Sequence, residues 1–288
     1  MSGKLGEIEA RIAATHQLEA VVGAMRGIAA SRSRDAHARL AGIRACAAAA
    51  GAAIGEVLAF APSSASASAA LAQDGAEVGI VIGSEQGFVG GLNDRIASEA
   101  LGRPRKRACQ WLLVGTRLVN ACAERGLNEA WSAPMAAHPA AVPRLAARVT
   151  DALYASLADG ERATRVTVTH ALPGESGLRI VQRTLIPFDF ARFHMTPRAL
   201  PPLVNMAPAR LLTGLVELYI SIELCEALML SFAAENEARV RAMLAARTNV
   251  QQRLAGLSQQ YRAMRQDEIT SEIVELTTGR EAAQRAMN

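Results

Sequence analysis

The chain has 288 residues, half of them hydrophobic, with aromatics at only 4% and a formal charge of +4. Abundant alanine with so few rings favours helices packed over small side chains and disfavours a sandwich or barrel. The positive charge is almost all arginine, spread along helices without a basic cluster interleaved with aromatics, so nucleic acid is not an expected partner.

Cys46, Cys109, Cys122 and Cys225 stand apart without CxxC spacing, against a zinc site or a disulfide framework and in favour of a reducing cytoplasm. The first residues, MSGKLGEIEA, are charged from the start and lack a secretory apolar core. The most apolar run, LVELYISIELCEALMLSF, is broken by Glu217, Glu223 and Glu226. It reads as a packed helix and no transmembrane segment is expected.

From Leu5 the apolar positions fall at Leu5, Ile8, Ile12 and Thr15, then at Leu18, Val22 and Met25, in steps of three and four. This is a narrow seam for a partner helix. It continues through Ile28, Ala36, Leu40 and Ile43 to Val57 and Leu58, where APSSASASAA breaks it. A helix of about 55 residues would be roughly 80 Å long. Gly23, Gly27, Gly42, Gly51 and Gly55 lie inside it, each costing on the order of 1 kcal/mol relative to Ala. Close approach of a second helix and plain tolerance both account for them.

The middle changes period. EVGIVIG (77–83) reads as a strand, the loop SEQGFVGG leads to a helix from Asn93, and basic GRPRKR precedes a second strand, WLLVG (111–115). A helix through Glu124, another over Val142–Leu157, and the strands RVTVTHA and LRIVQRTLIP complete a small, mostly parallel α/β domain. After the proline-rich FHMTPRALPPLVNMAP a helical pattern runs from Ala209 to the end, about 75 residues or roughly 110 Å. Met243, Val250, Leu254, Leu257, Tyr261 and Met264 repeat by sevens, fours and threes, and Ile269, Ile273 and Leu276 resume after a one-residue shift. So thin a stripe cannot fold alone. The matching period of the first helix favours an antiparallel pair of the two ends; self-association of C-terminal helices would satisfy the same pattern. The segments expected are therefore 1–60 as one coiled-coil helix, 75–195 as a Rossmann-like α/β domain, and 207–288 as the second helix.

Candidate chemistry is sparse. The loop GSEQGFVGGLN resembles a phosphate-cradling turn only weakly, lacking the Lys-Ser/Thr of a P-loop and GxGxxG spacing, and a tight strand-to-helix turn is enough to explain its glycines. His16, His37, His138, His170 and His194 show no metal-ligand spacing, and Ser176 in PGESG is not a GxSxG nucleophile. No catalytic constellation, cofactor site or metal site is expected. Arg265, Gln266, Thr270, Glu272 and Glu275 crowd beside the C-terminal seam, as either a solvated face or contacts for a surrounding wall.

In order along the chain, LGEIEARIAATHQLEAVVGAMRGIAASR, SEQGFVGGLN, SFAAENEARVRAMLAARTNV and YRAMRQDEITSEIVELTTG resemble the signature segments of the gamma subunit of F-type ATP synthases. The resemblance covers nearly the whole length. It implies two terminal helices wound antiparallel inside a ring of three alpha and three beta subunits. An α/β domain would stand below, on the membrane c-ring beside the epsilon subunit. It implies a non-catalytic rotor that couples ion flow to conformational change in the beta subunits, peripheral on the cytoplasmic face of the inner membrane.

Carried over by position, the resemblance implies that Arg265 and Gln266 hydrogen-bond a loop of beta, with Thr270 and Glu272 near it, and that Met25 passes acidic beta segments. Ser84, Glu85 and Gln86 stand where the family has Thr-Asp-Arg and would face the ring or epsilon. Arg26, Gly27 and that triplet depart from the family pattern and suggest a divergent branch, an alternative ATPase with its own ion preference.

Overall fold

The computed structural model describes residues 2–60, 76–102, 109–127, 129–158, 165–174, 177–195 and 203–286. The APSSASASAA break, the basic run 103–107 and Ser176 lie outside the described residues. The chain forms α1 (Ser2–Phe60), β1 (Glu77–Ile82), α2 (Leu92–Leu101), β2 (Cys109–Val114), α3 (Thr116–Ala123), β3 (Trp131–Ala133), α4 (Val142–Ala158), β4 (Arg165–Leu172), β5 (Arg179–Ile186) and α5 (Pro208–Ala286), with 3-10 turns at Pro139–Ala141 and Phe190–Arg192. It divides into two compact units, Met1–Ile28 with Val240–Asn288, and Ala29–Arg239.

The first unit is a helix pair. The α1 positions turned inward are Leu5, Ile8, Ile12, Thr15, Glu19 and Val22, half-buried or buried at strict three- and four-residue steps. Opposite them Met243, Val250, Leu254 and Leu257 are buried. Tyr261 Oη donates to Glu9 at 2.7 Å and Gln251 Nε2 to Glu19 at 3.1 Å. Ten residues forward on α1 are thus ten residues back on α5, an antiparallel register. Leu18, expected in the seam, is 51% exposed. The heptad places Glu19 there instead, and its carboxylate faces Gln251 and, at 3.9 Å, Arg247. Ile269, Ile273 and Leu276, expected to resume the seam, are exposed instead.

In the second unit the sheet order is β3-β2-β1-β4-β5, parallel except for the antiparallel pairing of β4 with β5. Both faces are covered, which is why β1 and β2 are apolar at successive positions. Val78, Ile80, Ile82, Leu112 and Val114 pack with Ala36 and Leu40 of α1, with Leu145, Val149 and Leu153 of α4, and with Ile220, Leu224 and Leu228 of α5. Val81, Trp111 and Leu113 pack with α2 and α3. Each fully buried Ile or Leu adds roughly 1.5–3 kcal/mol. Strand β3 has three residues, too few to show an alternation, and it does not stand out in the sequence.

Within this unit α1 and α5 are again antiparallel: Ser33 Oγ donates to Glu237 at 3.5 Å and Arg44 Nε to Glu226 at 2.9 Å. Ile54, Val57, Leu58 and Leu212 form a further cluster with Phe188, Phe193 and Tyr219. Over those rings lies the Arg192 guanidinium, 4.8–5.2 Å from three ring centres and 3.2 Å from Glu223. Among the described residues one helix, α1, is long and apolar enough by composition to cross a membrane. Its Ala36, Leu40, Ile54, Val57 and Leu58 are spent on these protein cores.

The helical glycines separate into two kinds. A methyl group at Gly55 would fall on the His194 carbonyl oxygen, and one at Gly51 would meet the Phe193 ring at 3.2 Å, so both admit the segment that follows β5. Around Gly23, Gly27 and Gly42 nothing lies within 4 Å, and close approach does not explain them. Gly42→Ala is expected to stabilise by about 0.5–1 kcal/mol. Gly55→Ala should destabilise by at least ~1–3 kcal/mol. Urea unfolding followed by the fluorescence of Trp111 and Trp131 distinguishes the two signs.

His170 in β4 is fully buried; its Nδ1–H donates to the Ala171 carbonyl at 3.1 Å and its Nε2 meets no polar atom. Burial pushes the imidazole down to about 4, with Arg183 acting in the same direction and Glu226 against it. The folded value lies below the unfolded one, so this contribution is whole above pH ~6.5 and is lost as pH falls towards ~4, to a limit of about 3 kcal/mol. His170→Leu should flatten the fall in urea midpoint between those pH values; an unchanged slope would mean the group does not titrate there.

Candidate functional site

The loop leaving β1 is built from polar ties. Gly83 donates its N–H to the Val114 carbonyl at 2.9 Å, and a methyl on it would meet Leu118 at 2.5 Å and Asn93 Oδ1 at 2.8 Å. Only glycine fits there. Gly115, at φ +103, is a second position where a side chain is refused, since a methyl on it would meet the Ser84 carbonyl oxygen at 2.7 Å. Ser84 is fully buried: its N–H donates to Asn93 Oδ1 at 3.0 Å, and its hydroxyl accepts from Asn93 Nδ2 at 2.8 Å while donating to the Gln86 carbonyl at 3.1 Å.

Glu85 crosses to the next strands. Its carboxylate accepts from the Thr116 N–H at 3.0 Å, the Thr116 hydroxyl at 2.7 Å and the Met135 N–H at 2.9 Å. Burial alone would raise this carboxyl, but those donors outweigh it and hold the pKa below the usual range. Beyond it the loop turns through Phe88 at φ +61 and Gly90 at φ +63, leaving the Phe88 ring 66% exposed.

The loop is bound to α5 by residues of the same unit. Glu235 accepts from the Glu85 and Gln86 N–H groups, each at 3.3 Å, and from Arg239 Nη2 at 2.6 Å. Arg239 also donates to the Gln86 and Gly87 carbonyls at 3.4 and 3.3 Å. Both side chains are buried. The sequence offers one signal for this pair, the charged run ENEAR directly after the buried SFAA. The loop that resembled a phosphate turn therefore has its donors spent on an internal carboxylate.

Among the eight positions singled out, Ser84 and Glu85 face their own domain, and Gln86 is the exposed member of that triplet. Met25 is half-buried on α1. Arg265, Gln266, Thr270 and Glu272 are exposed on the distal part of α5. Arg265 lies beside the Tyr261 hydroxyl that holds Glu9, and Thr270 Oγ1 donates to the Gln266 carbonyl at 2.8 Å. Among the described residues no cluster of His, Cys, Asp and Glu could hold a metal. An open depression lined by Asp94, Arg95, Glu99 and Arg179 is already cross-tied, with Arg95 on the Leu178 carbonyl at 2.9 Å and Asp94 on Arg125 at 2.7 Å.

Glu85→Gln leaves one carbonyl oxygen for three donors and should cost about 1–3 kcal/mol. Gln86→Ala, on the surface, should stay within ~0.5 kcal/mol of wild type. Equilibrium unfolding of the two variants side by side checks this, and equal losses would contradict the assignment of roles.

A family model described as ATP synthase matches residues 4–283. Among curated relatives, an ATP synthase gamma chain from a Nitratiruptor species is 34% identical over 101 residues, 34% of each chain. One from Helicobacter pylori is 32% identical over 106 residues, 35% of each chain. These matches span about a third of the relatives' length. A chain of the Euglena gracilis mitochondrial ATP synthase rotor in rotational state 1 superposes with a TM-score of 0.63 at 12% identity, covering 93% of this chain and 100% of that one. A chain of the Euglena gracilis OSCP/F1/c-ring assembly in rotational state 3 does so at 0.65 and 13% identity, covering 100% and 97%. At such identity the likeness is one of fold. With the family model running through all but the ends of α1 and α5, the chain belongs to the ATP synthase family, in the group whose curated relatives are gamma chains.

Proposed function

We propose that this chain is the central-stalk rotor of an F-type ATP synthase, a non-catalytic subunit that links an ion-driven membrane ring to the catalytic beta subunits. The observation that carries the reading is the antiparallel end-helix unit, whose α5 bears from Arg265 to Leu276 an exposed face of mixed apolar and polar side chains. Such a face suits a surrounding protein socket. Its partners would be three alpha and three beta subunits, the epsilon subunit and the c-ring. Its place would be peripheral, on the cytoplasmic face of the inner membrane.

In this reading no bond is made or broken on the chain. A rotor acts by contacting each beta subunit differently at each angle, which shifts an equilibrium between states of different nucleotide affinity. Moving such an equilibrium from 1:99 to 99:1 requires about 5.5 kcal/mol of differential contact. Arg265 and Gln266, with Thr270 and Glu272 a turn or two on, supply charge-assisted and amide hydrogen bonds to a beta loop. Met25 supplies an apolar surface on α1 for acidic segments to slide past. Of the triplet in the β1 loop, Gln86 is the member free to meet the ring or epsilon, because Ser84 and Glu85 are used within the domain.

Reconstitution with alpha and beta subunits tests this. The chain should co-purify with the hexamer and support ATP-driven rotation of a probe fixed to its α/β domain. Arg265→Ala combined with Gln266→Ala should lower turnover about tenfold, the equivalent of ~1.4 kcal/mol, and Met25→Lys should slow rotation without preventing assembly. A hexamer that ignores the chain, or turns over identically without it, would rule the reading out.

A further inference from the structure

Strand β1 sits between β2 and β4 in the parallel part of the sheet, and the chain moves outward to β2 and β3 before returning to β4 on β1's other side. In open sheets of this kind the crevice at the carboxyl ends of the strands beside that reversal is where ligands bind, commonly anions held by a glycine loop before a helix. The loop after β1 has that layout: glycines at 83, 87, 90 and 91, then α2 from Leu92.

The crevice is filled from within. Two successive N–H groups, of Glu85 and Gln86, point at the two carboxylate oxygens of Glu235, one each at 3.3 Å, and the Arg239 guanidinium closes on one of them at 2.6 Å. Arg239 is held in turn by the Asn236 Oδ1 and the Gly87 carbonyl, both at 3.3 Å. Adjacent backbone donors with a fixed guanidinium are the donor set of a small-anion site. Glu235 is 4% exposed and Arg239 5%, so the carboxylate is enclosed as a bound ligand would be.

We propose that this loop and Arg239 form an anion-binding cradle whose ligand is the chain's own Glu235, and that this recognition docks the α/β domain onto α5. The ligand class is a small carboxylate or oxyanion. Because Glu235 is tethered on the helix that also carries Arg239, its effective concentration is far above that of a free anion, and dissolved phosphate does not displace it. The site is independent of the rotor reading: it concerns how the domain is fastened, whatever the domain drives.

The full-length Glu235→Ala chain tests this, with inorganic phosphate and acetate as probes and chloride at matched ionic strength as the control. The expected result is a lowered unfolding midpoint that phosphate or acetate restores in a saturable way, while the wild-type midpoint responds to them no more than to chloride. A folded variant with no recovery beyond that in chloride, or a wild type that shifts equally, overturns the cradle. Hydrogen exchange on the wild type gives a reading that needs no variant. The Glu85 and Gln86 amides should exchange at least 100-fold more slowly than unprotected peptide, and exchange at the unprotected rate would overturn the proposal as firmly.

Discussion

A helix that carries its apolar residues on one stripe leaves them in water unless a second helix covers that stripe. For α1 and α5 no sheet is long enough to do so, and in the terminal unit the cover is mutual. Thr15 and Val22 on one side and Val250, Leu254 and Leu257 on the other are buried only because the partner is there. The polar pairs Glu9–Tyr261 and Glu19–Gln251 then determine which turn faces which. Apolar seams give little register information by themselves, since a shift of one heptad buries nearly as much, and such polar pairs are matched at a single offset.

The α/β unit is held by a different logic. Its sheet is buried on both faces by ordinary apolar packing, but the loop that leaves β1 is a chain of polar satisfactions running from Asn93 through Ser84 and Glu85 to Glu235 and Arg239. Buried charges of this kind contribute little net stability compared with apolar residues of equal size, yet removing one partner costs several kcal/mol because the other is left uncompensated. Their use is to permit one docking arrangement of loop and helix and penalise the rest.

Much of the architecture was legible in advance. Long helices with three- and four-residue steps, apolar strands after turn residues, and the β-α-β alternation were placed within a few residues of their observed limits, because each rests on a local periodicity. Four things were not. Ile269, Ile273 and Leu276 have the spacing of a resumed seam and are exposed. Leu18 looked like a seam residue and is not, since the heptad continues through Glu19, and apolarity alone cannot show which of two neighbours faces inward. Strand β3 is too short for any pattern. The glycines of α1 looked alike, yet only Gly51 and Gly55 meet other atoms, and those belong to residues far along the chain.

By itself, then, the order of residues determined the elements and the family, and it left the antiparallel pairing of the two ends beside self-association as alternatives. Elements and family depend on periods and short motifs, which are properties of neighbours in the chain. Only the tertiary structure decided that Ser84 and Glu85 look inward while Gln86 looks out, that α1 and α5 pair with each other, and that the glycine loop is occupied by Glu235. Each of these is set by which groups meet across intervening chain, from 9 residues for Ser84 with Asn93 to 252 for Glu9 with Tyr261, and such meetings are not written in a linear pattern.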